Sequence, residues 1–210
     1  MMKFLIADDH TLFREGLKRV LNETFGGAIF DEAVNGREVI KKAAEKNYDV
    51  VLLDISMPGR DGLDTLKQLK SDRPDIHVLV VSMHSEKEYA ERVLRAGAFG
   101  YITKESSTDE LITAVRKMAA GKKYVSSTMA ERLVSHLGTN SEKLLHETLS
   151  DREFEIMCLI ASGMTVKDIA VQLSLSMKTV STHRIHILRK MEMENNSQLI
   201  HYALQNQLVT

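Results

Sequence analysis

The chain is poor in cysteine and in uninterrupted apolar sequence, and each shortage removes a class of protein. Cys158 is the only cysteine in 210 residues, so an intrachain disulfide framework is excluded. It lies in an apolar stretch and is expected as a small buried hydrophobe. No segment approaches the ~18 uninterrupted apolar residues of a membrane span. The opening MMKFLIADDH is cut by Asp8 and Asp9 well short of a signal-peptide core. A cytoplasmic protein with no membrane partner is expected. Charge of either sign is also not in excess: the formal net charge is −1, with 27% charged and 43% hydrophobic residues. That is globular composition, and it names no partner. The length leaves room for two domains, each able to bury a core.

What is present falls into two patterns. Residues 1–120 alternate short apolar runs with longer amphipathic segments, the mark of βα units around a parallel sheet buried on both faces. Strands are expected at Lys3–Ala7, Ala28–Val34, Val50–Asp54, His77–Ser82 and Gly100–Thr103. Helices are expected near 11–24, 36–46, 62–71, 86–96 and 108–120. Asn35 caps the second, Gly62 opens the third after a turn containing Pro58 and Gly59, and Gly97 stops the fourth. Five such units make a flavodoxin-like (βα)5 domain with a parallel five-stranded sheet. Residues 121–148 break the rhythm with a short helix near 127–137 and a Gly-Thr-Asn-Ser linker. From 149 to 210 the pattern is helical only. Ser150 and Glu153 form a capping box for a helix through Ala161, followed by helices at Val166–Leu173, Met177–Met191 and Ser197–Gln205.

In an open parallel sheet, ligands bind beyond the carboxyl ends of the strands where strand order reverses. Asp8 and Asp9 follow the first strand, Asp54 ends the third, Ser82 ends the fourth and Lys104 follows the fifth. Crowded carboxylates repel one another unless a cation intervenes. Hard oxygen donors with open coordination positions suit Mg2+, which readily adds a phosphoryl oxygen. Asp54, the carboxylate at the end of the apolar run VVLLDI, is then a nucleophile toward a phosphoryl group. Lys104 and Ser82 can neutralise and hydrogen-bond the transferred oxygens. A single acid of this kind commonly only caps the following helix. The set at successive strand ends is what favours chemistry.

Through IADDH, LLDISMPGRDG, VVSMHS and GAFGYITK, residues 3–120 resemble the receiver domains of bacterial two-component systems. The resemblance implies that Asp54 accepts phosphate from the histidine of a sensor kinase. It also implies that Asp9 binds Mg2+ directly, Asp8 less directly, and that the Ser56 main-chain carbonyl completes the ligands along with Asp54. Ser82 and Tyr101 would form a switch pair, and Lys104 would contact the phosphoryl group. Glu105 stands where many receivers have proline, which leaves the isomer of the 104–105 peptide open. Met83 is bulkier than the residue usual there and is expected to screen the acyl phosphate from water.

The segment LSDREFEIMCLIASGMTVKDIAVQLSLSMKTVSTHRIHILRKM resembles the LuxR-type helix-turn-helix of NarL/FixJ response regulators. Independently of it, the helix at 166–173, the SLS turn and the helix at 177–191 have the spacing of a support and a recognition helix. Residues 150–210 hold six Lys/Arg and six Asp/Glu, yet 167–190 alone holds five basic residues against Asp168. Val180, Ile187, Leu188 and Met191 share one helix face and should point inward. Lys178, Ser181, Thr182, Ile185 and Arg189 then face outward. Ser181, Thr182 and Ile185 are assigned to base edges, Lys178 and Arg189 to phosphates, with Lys167, Thr179 and His183 beside them. His183 reads equally as a half-buried support of the helix. Leu199, Ile200, Ala203, Leu204 and Leu208 form a stripe that closes the core, pairs with a second copy, or both. The remaining histidines show no ligand spacing for zinc.

The expected function is a phosphorylation-controlled DNA-binding transcriptional regulator, partnered by a histidine kinase and binding promoter DNA as a homodimer. Two rivals stand beside it. One is a magnesium-dependent phosphatase with an Asp nucleophile, which would want a second Asp where Ser56 stands. The other is a module whose helical end contacts RNA polymerase.

Overall fold

The computed structural model describes every residue except 58–61, 85, 132–143, 207 and 210, and the side chains of 87 and 88. The chain divides into two compact units, Met1–Met129 and Ala130–Thr210.

The first unit is a five-stranded parallel sheet in the order β2-β1-β3-β4-β5. Its strands are β1 (Lys3–Ala7), β2 (Ile29–Ala33), β3 (Val50–Leu53), β4 (Val78–Ser82) and β5 (Gly100–Thr103). Between and after them run α1 (Thr11–Thr24), α2 (Gly36–Glu45), α3 (Gly62–Asp72), α4 (Glu86–Arg95) and α5 (Thr108–Ala119). Every residue of β3 and β4 is buried, as a strand covered by helices on both faces requires. Alternate residues face alternate sides. Phe4, Ile6, Val50, Leu52, Leu79 and Val81 join Leu17 and Leu21 of α1 and Leu111, Val115 and Met118 of α5 in one core layer. β2, at the sheet edge, is the polar exception: Asp31 and Glu32 blunt it.

The helices start and stop where side chains satisfy their ends. Asn35 accepts a hydrogen bond from the Glu38 amide at 3.0 Å, and Gly97, at φ +99°, ends α4 in a conformation costly for other residues. Gly62 answers a different need. A Cβ there would collide with the Ile55 backbone, so glycine lets α3 begin directly against the segment that carries Asp54. The expected Pro58–Gly59 turn lies outside the described residues, as does the part of the expected 127–137 helix beyond residue 131. The five strands and five helices fall within two residues of their expected ends.

Among its described residues the second unit contains a short 3-10 turn (Leu145–Thr148) and the helices α6 (Asp151–Ala161), α7 (Val166–Gln172), α8 (Met177–Lys190) and α9 (Asn196–Gln205). The Ser150–Glu153 capping box is present. α6 is buried continuously from Glu153 to Ala161, and the other helices pack around it. Cys158 is 4% exposed within it. α7 and α8 end alike, with Ser174 and Glu192 in the left-handed region and the next amide closing on the last turn: Leu175 to the Ala170 carbonyl, Met193 to that of Leu188. Among the described residues no helix is long and apolar enough to cross a membrane.

Candidate functional site

β1 and β3 are neighbours at the reversal of strand order, and their carboxyl ends deliver the acids. Asp8 and Asp54 are 2% and 1% exposed, whereas Asp9 opens to solvent. The Lys104 ammonium reaches from the end of β5 to sit 2.6 Å from Asp8 Oδ2 and 2.7 Å from Asp54 Oδ2. Burial pushes the Asp54 carboxyl above its ordinary range; the Lys104 bond and charge and the Ser56 amide oppose this, and the Asp8 charge adds to it. Burial alone would lower the Lys104 ammonium, but its bonds to Asp54 and Asp8 outweigh that and hold it higher than usual. Asp54 Oδ1 accepts the Ser56 amide at 2.8 Å, and the Ser56 hydroxyl is buried without a partner among the described residues.

Asp8, Asp9, His10 and Asp54 bring one potential ligand atom each within 4.8 Å of one another. This donor set fits a hard divalent cation: three carboxylates against one buried lysine leave an excess of negative charge, and Asp9 keeps the site open to solvent. His10 starts α1 without capping it; its Nδ1 instead lies 3.1 Å from Asp8 Oδ1 and 3.0 Å from Asp9 Oδ1.

Two further expected residues lie on the strands that follow β3 in the sheet, Ser82 at the end of β4 and Tyr101 in β5. Ser82 is fully buried, and its Oγ accepts the His84 amide at 3.2 Å. Tyr101, 2% exposed, points inward and donates its hydroxyl to the His84 carbonyl at 2.6 Å, so it is no surface residue. Met83 is 63% exposed next to Ser82. Among the described residues no peptide bond is cis, so the 104–105 bond is trans.

Arg14 is the residue sequence reasoning missed. It is 7% exposed; its guanidinium donates to the Asp8 carbonyl at 2.8 Å and to Glu32 Oε2 of β2 at 2.6 Å. It fixes the backbone that presents the acid pair. A signal existed: Arg14 shares its helix face with Leu17 and Leu21, so a charge sits on the side that faces the sheet.

In the helical unit, Val180, Ile187, Leu188 and Met191 are buried as expected. Lys167, Lys178, Thr182, Ile185 and Arg189 are exposed, Ser181 and Thr179 partly so. The Thr182 hydroxyl donates to the Lys178 carbonyl at 3.0 Å, which leaves its methyl and oxygen lone pairs to offer outward. Thr179 is engaged at the helix start, its hydroxyl 2.8 Å from that of Ser176. His183 is half-buried, its Nδ1 enclosed without a partner among the described residues. Burial lowers its pKa, against the raising effect of Glu153. The basic footprint is smaller than the sequence count. Lys190 binds Glu153 Oε2 at 2.6 Å and Arg184 binds Asn196 Oδ1 at 2.7 Å, leaving Lys167, Lys178 and Arg189 as the outward cations of the five. The C-terminal stripe splits: Leu199, Ala203 and Leu208 are core, while Leu204 is 51% exposed.

A buried acid–lysine cluster at a sheet switch point and a cation-bearing helix in a helix-turn-helix define a class: a receiver joined to a nucleic-acid reader. Comparison with known proteins agrees. Residues 4–116 match the response regulator receiver domain, and residues 147–203 match the luxR family of bacterial regulatory proteins. The oxygen regulatory protein NreC of Staphylococcus carnosus is 37% identical over 215 residues, covering 99% of each chain. The response regulator UvrY of Escherichia coli K12 is 32% identical over 209 residues, covering 99% of this chain and 96% of its own. Among solved structures, RcsB of Salmonella enterica serovar Typhimurium, bound to promoter P1flhDC in the presence of phosphomimetic BeF3−, aligns with a TM-score of 0.65 at 26% identity. The match covers 96% of this chain and 97% of RcsB. The chain belongs to the NarL/FixJ family of response regulators, which are DNA-binding transcriptional regulators. The phosphatase rival finds no support in these matches.

Proposed function

We propose that Asp54 is the phosphoacceptor through which a sensor histidine kinase controls promoter binding by residues 149–210, with 1–120 as receiver and 121–148 as connection. The observation that carries this reading is the Lys104 ammonium held between the buried carboxylates of Asp8 and Asp54. A carboxylate in a low-dielectric pocket, paired with a single lysine ammonium, is a prepared nucleophile. Asp54 Oδ attacks phosphorus, the P–N bond to the kinase histidine breaks, and the imidazole leaves with the electron pair. Lys104 turns from carboxylate to phosphoryl oxygen, and Ser82 donates its hydroxyl to another. Asp8, Asp9, Asp54 and the Ser56 carbonyl would hold Mg2+, which supplies charge neutralisation for the transferred group. The phosphoryl group, carrying roughly −1.5 to −2 in place of a carboxylate's −1 and three acceptor oxygens in place of one, then reorders Ser82 and the segment that bonds Tyr101.

In the second unit, α8 enters the major groove. Ser181, Thr182 and Ile185 approach base edges; Lys167, Lys178 and Arg189 meet phosphates; Thr179 and His183 hold the helix in position. Exposed Leu204 on α9 pairs with a second copy, giving a dimer on two half-sites. The setting is the cytoplasm, where kinase output and promoter DNA coincide.

The test is selection of duplexes from a random pool by wild type and Asp54→Ala, each with and without a small phosphodonor and Mg2+, at stated salt. The donor should sharpen selection for wild type alone. Equal enrichment in all four samples would refute the control.

A further inference from the structure

The start of the connection, after α5, does not leave the receiver. Gly121 closes α5 at φ +71°, and the chain folds back along β5 and the start of α4. The Tyr124 amide donates to the Phe99 carbonyl at 2.7 Å, and the ring, 7% exposed, belongs to the sheet core. Its hydroxyl donates to Glu110 Oε1 of α5 at 2.9 Å. A Cβ at Gly100 would crowd Tyr124 at 3.1 Å, so glycine at the head of β5 makes room for this return. Two residues further on, the Ser126 hydroxyl donates to Glu86 Oε2, the first residue of α4, at 2.6 Å. The same oxygen accepts the Met129 amide at 3.1 Å and so caps the helix that begins at 127. Beside these contacts lies a cavity of about 460 Å3 whose lining includes Glu86, Thr103, Ser106, Glu110, Tyr124 and Ser126.

We propose that residues 122–129 are a latch in which Tyr124 is the fixed anchor and the Ser126–Glu86 bond the releasable catch, opened by the phosphoryl group on Asp54. The proposal rests on the phosphoacceptor reading above. Glu86 lies two residues past His84, whose amide is bonded to the Ser82 hydroxyl and whose carbonyl takes the Tyr101 hydroxyl. When Ser82 turns to a phosphoryl oxygen, both bonds at His84 are disturbed and the start of α4 shifts with them. The catch is one hydrogen bond at the rim of a cavity, with space to part. The anchor is a buried ring with a main-chain bond and does not follow. Release therefore frees the chain from 125 onward, the part that leads to the DNA reader, and leaves the receiver core intact.

The test is amide hydrogen exchange on the full chain with Mg2+, with and without acetyl phosphate, label at Asp54 being quantified in the same samples. In wild type, phosphorylation should speed exchange at 125–131 about tenfold, the scale of one lost hydrogen bond, and leave Tyr124 unchanged. Glu86→Ala, which spares the Ser126 cap, should show the fast exchange without phosphodonor. Ser126→Ala should do the same. Asp54 labelled in full with unchanged exchange at 125–131 would overturn the latch alone. No label at Asp54 would overturn the site reading and the latch with it. Fast exchange in Ser126→Ala but not in Glu86→Ala would reduce Ser126 to a helix cap and overturn the catch.

Discussion

The two halves of the molecule hold their working charges in opposite ways. In the receiver, Asp8, Asp54 and Lys104 are almost wholly buried and touch one another at 2.6 and 2.7 Å. In the helical unit, Lys167, Lys178 and Arg189 stand in solvent. Charges in low dielectric interact strongly, so the first set has few stable arrangements and changes state as a group. Exposed cations are screened and act almost independently. One arrangement suits a switch, the other a reader that grips phosphates of any sequence.

The contrast can be broken, the largest effect first. Lys104→Met leaves Asp8 and Asp54 facing each other without their cation. Removing one partner of a buried ionic cluster should cost about 3 kcal/mol without metal, most of it regained on adding Mg2+. Calorimetry of the full chain with and without Mg2+ checks this, and an unshifted receiver transition would contradict it. Arg14→Met keeps the apolar stem but frees the Asp8 carbonyl. Mg2+ affinity should fall about tenfold, on the scale of a lost charged hydrogen bond, while labelling at saturating Mg2+ recovers.

A third test uses acid. His84 stacks on Tyr89 with ring centroids 4.3 Å apart, and burial pushes its pKa down to about 4. With the folded value below the unfolded one, stability is full above pH 6.5 and falls as the pH drops from there toward 4. Wild type should lose roughly 2 kcal/mol more than His84→Phe between pH 7 and pH 5, read from their melting temperatures. The smallest effects belong to the reader. Lys178→Ala and Arg189→Ala should each weaken DNA binding alike across sequences and reduce the slope of log affinity against log salt by about 0.9. Lys190→Ala should lower stability instead, because its ammonium holds the Glu153 carboxylate, whose pKa burial would raise but the Lys190 and Ser150 bonds keep low.

Local rules made much of this legible. All ten receiver elements followed from apolar periodicity, because a sheet buried on both faces leaves Ser82, at the very end of β4, as the one polar residue in β3 and β4. The capping boxes were half seen: Ser150 with Glu153 was read, while Thr165 with Asp168 passed as a bare charge. Long-range pairing was what the chain concealed. Glu32 sits 18 residues from Arg14 on a different element, and Lys190 lies 37 from Glu153, so neither pair has a sequence spacing to reveal it. Residues 121–129 read as the start of a linker because Tyr124 and Val125 are a lone apolar pair among polar neighbours. Nothing local says that Tyr124 completes the sheet core.

The central claim is that one buried carboxylate carries the switch. Incubating the full chain and Asp54→Ala with 32P-labelled acetyl phosphate and Mg2+, then mapping the label by mass spectrometry after trapping the acyl phosphate, tests it most directly. Acid-stable, base-labile label on Asp54 alone, absent from the variant, is the predicted result. Label on another side chain, or equal label in Asp54→Ala, would contradict it.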